Sequence, residues 1–219
     1  MAEDLLYATA NGRRIQVAPP RRRAHKKRKL MSEYVLQEIE ACGAFFELVS
    51  VHGRTEERDF PKRSERWWIG NGLLEVFLLH VRILDEFLHA DLIAALNRKR
   101  PEPIEIPNDA SALDFVVDQQ AWLDARPPRA EGLRWQRISK TVAHLSWARV
   151  EAGWETPDLG VRHHPHQKGQ EWPTPEIWDA LRGSLLAFLD HVDQAAVCDE
   201  FTVWADKALA TEVVQLWPE

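Results

Sequence analysis

Residues 70–96 are apolar on almost every side of a helix, and this stretch constrains the fold more than any other. Leu73, Leu74, Val76, Phe77, Leu78, Leu79, Val81, Ile83, Leu84, Phe87, Leu88, Leu92, Ile93 and Leu96 leave no wide polar face. A helix of this kind needs neighbours around it, which predicts a central, buried helix in a bundle. It does not predict a membrane span. Glu75, His80, Arg82, Asp85, Glu86 and His89 interrupt the run, and each ionised group at mid-bilayer costs about 2.5–3.5 kcal/mol.

The rest of the chain repeats the helical spacing. Over residues 31–49 the apolar positions Leu36, Ile39, Cys42, Phe46 and Val49 recur at steps of three or four, with Ser32 suited to an N-cap. Residues 51–68 are polar and read as a linker. Asn108 or Asp109 can cap a third helix running to about Asp124, with Leu113, Val116, Val117 and Trp122 as core positions. A fourth is expected over about residues 133–152. A fifth starts at Thr174-Pro175, where proline suits the first turn, and carries Ile177, Leu181, Leu185, Phe188 and Val192. A sixth is expected over about residues 199–216. No internal repeat and no run of alternating β-branched residues is visible, so the predicted class is all-α, a bundle of five to six helices over residues 31–219.

Charge is distributed unevenly. Nine Lys and Arg residues within residues 1–30 face only Glu3 and Asp4, which leaves the other 189 residues at −13 within a net charge of −6. With Pro19-Pro20 and no apolar periodicity, residues 1–30 read as a basic, flexible arm, dispensable for folding. Such an arm is either a solvated tail or a contact for nucleic acid. The two cysteines, Cys42 and Cys198, are too few for a disulfide scaffold or a Cys-rich zinc module. The N-terminus lacks a signal-peptide core, and the expected compartment is the cytoplasm.

Phosphate-loop, dinucleotide, Gly-x-Ser-x-Gly and His-Glu-x-x-His patterns are absent. His163-His164-Pro165-His166 is the one metal-like cluster, but adjacent histidines among prolines and glycines are poorly placed for fixed ligand geometry. No metal or cofactor is expected. Two helices instead place an arginine and a histidine seven residues apart: Arg82 with His89, and Arg137 with His144. On a regular helix each pair shares a face, about 10 Å apart along the axis. A histidine that moves a proton and a guanidinium that grips a phosphate together suit metal-free phosphodiester cleavage. On RNA the 2′-hydroxyl would attack. The alternative is structural. The apolar surround of Arg82 and His89 favours a buried polar network with Asp85 or Glu86, whereas Arg137 and His144 suit either role.

The segment from Arg137 through Lys140, Ala143 and His144 to Arg149 resembles the signature helix of the HEPN superfamily, small all-α bundles of bacterial defence and toxin–antitoxin systems. His80-Val81-Arg82-Ile83-Leu84-Asp85 resembles the upstream helix of its abortive-infection members. The residue after the arginine is Ile138, where the family usually carries a polar one. The resemblance implies a metal-independent endoribonuclease working at a homodimer interface, or a non-catalytic interaction or nucleic-acid-binding module on the same fold. It implies Arg137 and His144 as the catalytic pair. Arg82, Lys140 and Arg149 are the candidate nucleic-acid contacts. RNA, a second copy and a cognate antitoxin or regulator are the expected partners, and no membrane is among them.

Overall fold

The computed structural model describes residues 6–10, 13–17, 24–52, 65–96, 110–129 and 174–210. Over these the chain is an all-α bundle with one small hairpin. Two strands, β1 (Leu6–Ala10) and β2 (Arg13–Val17), precede five helices: α1 (His25–His52), α2 (Glu65–Leu96), α3 (Gln119–Ala125), α4 (Thr174–His191) and α5 (Phe201–Leu209). No helix among the described residues is long and apolar enough to cross a membrane.

Helix α1 packs along α2 and α5, and α4 closes the core between them. The periodic positions do what their spacing predicts: Ile39, Cys42, Phe46 and Val49 of α1, and Ile177, Leu181, Leu185 and Phe188 of α4, are all buried. Aromatic rings interlock at the centre. Phe46 stacks on Trp178 with centroids 5.1 Å apart, and Phe188 meets Phe87, Trp122 and Phe201 edge-on. Gly43 is what lets α1 and α5 approach, since a Cβ there would lie 3.0 Å from the carbonyl oxygen of Ala208. Burial pushes the Cys42 thiol far above its ordinary range, with the nearby Glu38 carboxylate adding to the effect. A thiol reagent at pH 8 is therefore expected to leave Cys42 unmodified in the native protein and to label it in denaturant. Native labelling of Cys42, read by mass spectrometry of its peptide, would contradict this packing.

Three expectations are corrected. The first concerns residues 1–30. The strands pair antiparallel, Leu6 opposite Val17 and Ala8 opposite Ile15. The inward side of the hairpin buries Leu6, Ala8 and Val17. Gln120 of α3 fixes its outer edge: Tyr7 N–H donates to Oε1 and Nε2 donates to the Tyr7 carbonyl, both at 3.0 Å. Helix α1 also begins at His25, not Met31. The flexible-arm reading thus fails for the described part of this segment. Its alternation is short, and Asn11-Gly12, the dipeptide that most favours a tight hairpin, was the available signal. A chain starting at Met31 is expected to melt well below the full chain. It loses the burial of Leu6 and Val17, each worth about 1.5–3 kcal/mol before ordering costs. Equal melting temperatures by circular dichroism would restore the arm.

The second correction concerns residues 110–125. A single helix here is replaced by a short 3-10 turn (Ala112–Asp114), an isolated bridge from Val116 to Val192, and then α3. Asp118, not Asn108 or Asp109, caps α3 by accepting from Ala121 N–H at 2.9 Å. Val117, expected in the core, is 77% exposed because the bridge turns it outward. The third concerns α2, which is not buried all round: Leu79 and Ile83 remain exposed. The expected fourth helix lies outside the described residues, and the sixth is described only as far as α5.

Candidate functional site

Helix α2 brings three of its polar residues to quite different places. The helix breaks at His89, whose φ of −128° and ψ of 24° are not helical. A side chain from outside the helix engages the chain at the break. Arg126 Nη1 donates to the Leu88 carbonyl at 2.9 Å, taking an acceptor from the helical ladder. Arg82 and His89 end in different surroundings. Arg82 stands about one-third exposed and pairs with Glu86 across one turn, Nε to Oε1 at 2.8 Å. His89 is buried, with Nδ1 3.1 Å from Asp85 Oδ1. Arg129 completes the arrangement from outside the helix. Its Nη2 and Nε reach Asp85 Oδ2 at 2.6 and 2.8 Å.

The polar network expected in α2 exists around His89 and Asp85, while Arg82 and Glu86 pair apart from it nearer the surface. Asp85 is its centre, Arg129 supplies the charge that offsets a buried carboxylate, and Arg82 takes no part. Arg129 follows Pro127-Pro128 and carried no periodic signal, so nothing in the sequence placed it beside α2. Its two-pronged hold on one carboxylate, like the Arg126 hold on Leu88, clamps the chain after α3 onto the break in α2.

A second pair, absent from the sequence reading, joins α1 to α2. His80 Nδ1 lies 2.6 Å from Glu38 Oε2. The Phe45 ring stacks on the imidazole, centroids 5.6 Å apart and planes 15° apart. Both side chains keep some solvent access, 18% for His80 and 31% for Glu38. A carboxylate that accepts from Nδ1–H fixes the tautomer and turns the lone pair of Nε2 away from it, the arrangement of a positioned proton acceptor. In the sequence His80 is one interruption of an apolar run and Glu38 one acid among the polar positions of residues 31–49. Only the antiparallel packing of α1 and α2 makes them neighbours.

An open cavity of about 640 Å³ lies between α1 and the start of α5, with Glu33, Glu40, Asp199 and Glu200 in its lining beside Lys29 and Trp204. Lys29 Nζ holds Asp199 at 2.7 Å, and this hydrogen bond keeps the Asp199 carboxyl below its usual range. Among the described residues no three His, Cys, Asp or Glu side chains converge as metal ligands. Arg137, Lys140, His144 and Arg149, and the cluster His163-His164-Pro165-His166, lie outside the described residues. No family model, curated protein or solved structure matches the chain.

Proposed function

We propose that this chain is a HEPN-like helical bundle that cleaves RNA without a metal, Arg137 holding a phosphate and His144 moving the proton. The observation that carries the reading is the spacing of Arg137, Lys140 and His144 in a segment resembling the family's signature helix. The all-α class of the described bundle supports it. In this reading the protein is a cytoplasmic homodimer, pairs from two subunits meet at the two-fold interface, and a cognate antitoxin or regulator controls it. Lys140 and Arg149 contact the nucleic acid. Arg82, with its guanidinium tied to Glu86, reaches RNA only by exchanging that partner.

A second reading, a non-catalytic interaction module on the same fold, is favoured by two observations. Ile138 stands where the family carries a polar residue. The other Arg–His pair of the sequence is divided between the surface and the core. Incubating RNA with the wild type and with His144→Ala, both in excess chelator, separates the two. Cleavage lost in the variant supports the first. No cleavage by the wild type supports the second.

A further inference from the structure

Helix α2 keeps an apolar stripe on its outer side. Before the break at His89, steps of three and four residues join Ile69, Gly72, Val76, Leu79 and Ile83. On a regular helix these five positions lie within about 80° of arc and along about 21 Å of its length. Ile69, Leu79 and Ile83 are 46%, 41% and 38% exposed, and Val76 is half-buried. Apolar residues at alternating steps of three and four are the spacing of a seam between two helices, not of a solvated face. Gly72 leaves a gap in the stripe. No atom lies within 4 Å of where its Cβ would stand, so the space above it is open to a side chain from outside.

The charges beside the stripe narrow what fits it. Glu75 and Arg82, seven residues apart, flank it on the same side, within about 20° of each other around the helix. Arg82 gives its Nε to Glu86 and keeps its two Nη groups for a further acceptor. Glu75 is in no ion pair among the described residues. Turned end for end, this face matches itself. A two-fold axis crossing α2 between Val76 and Leu79 sets Leu79 against the partner's Val76, and Ile83 over the gap at the partner's Gly72. The same axis brings Glu75 to the partner's Arg82, and it does so twice, because a two-fold contact is reciprocal. Charges that flank an apolar seam are what set partner choice and orientation between paired helices. We infer that this face of α2 is a contact between two copies of the chain, packed antiparallel about Leu79. A partner of one charge sign would satisfy only one of the two flanking groups, whereas opposite charges placed either side of the stripe's own midpoint fit a second copy. A lipid surface would have to cover Glu75 and Glu86 along with the stripe. The inference rests on the homodimer of the reading above. It needs neither Arg137 nor His144, and it gives Arg82 to the dimer rather than to RNA.

The test is sedimentation velocity of the full chain from micromolar to near-millimolar concentration, over which the wild type is expected to pass from monomer to dimer. Leu79→Glu should weaken association about a hundredfold or more, since it removes a central anchor from both copies at once. Leu79 is exposed, so circular dichroism and melting should match the wild type. The flanking charges test the register. Arg82→Glu places two acids across the seam and Glu75→Arg two bases, so each variant alone should associate at least about tenfold more weakly. Mixed in equal amounts, the two variants pair every acid with a base and should form a mixed dimer at close to the wild-type affinity. A structural effect of either substitution would not be undone by mixing. A chain that stays monomeric throughout overturns the proposal and the homodimer together. If Leu79→Glu then also melts well below the wild type, the chain's own residues cover the stripe. A dimer that survives Leu79→Glu overturns this face and leaves the homodimer reading standing on another. Loss of the dimer in Leu79→Glu with RNA cleavage retained keeps this face and removes the two-fold site from the nuclease reading.

Discussion

Arg129→Ala is expected to lower the melting temperature by roughly 10 °C, whereas Arg82→Ala should leave it nearly unchanged. Asp85 is buried and is held by two bonds from Arg129 and a contact with His89. Removing one partner of a buried ion pair strands the other and costs about 3–5 kcal/mol. Arg129 keeps one-fifth of its side chain exposed, so water can repay part of this, and the lower end applies. In a domain of this size each kcal/mol shifts the midpoint by about 2–4 °C. Arg82 pairs with a half-exposed Glu86, and pairs of that kind contribute about 0–1 kcal/mol. Sequence alone favours Arg82 as the arginine of the buried network, and the structure gives that place to Arg129. Adding Asp85→Asn to Arg129→Ala should cost far less than the sum of the two, because the stranded charge is gone. Equal melting of the Arg82 and Arg129 variants would show that Asp85 finds another partner and that the clamp does not hold the break in α2.

If the chain is a ribonuclease, His144→Ala should reduce cleavage by about 10²–10⁴-fold, the usual contribution of a general acid–base group. Arg137→Ala should lose about 10²–10³-fold by removing charge stabilisation at the phosphate. The double variant should be little worse than either, because the two act on one transition state. The 2′-oxygen forms the new bond to phosphorus as the 5′-oxygen leaves, so one product carries a 2′,3′-cyclic phosphate and the other a 5′-hydroxyl. Chelator should have no effect. Equal cleavage by wild type and His144→Ala would remove His144 from the mechanism. His80→Ala then becomes the next variant, since His80, unlike the buried His89, is paired with a carboxylate and keeps solvent access.

The helical class was legible because burying a helix face demands apolar residues at steps of three and four, and α1, α2 and α4 carry that signal through many turns. Short elements were not. The hairpin offers five residues per strand, too few for alternation to rise above charge. Its place was set by Gln120, far along the chain. Val117 was assigned to the core on spacing that a two-residue bridge to Val192 cancels. For the candidate site the division is sharper. Which side chains can titrate or carry charge is written in the sequence, and so is the likeness that singles out Arg137 and His144. Which of them meet is not. Asp85 joins Arg129, brought from beyond α3, while Arg82 turns to Glu86 one turn along its own helix. Glu38 meets His80 because α1 and α2 pack side by side. Periodicity is a property of one helix at a time. Charge pairing across helices depends on register and breaks, which only the packed bundle decides.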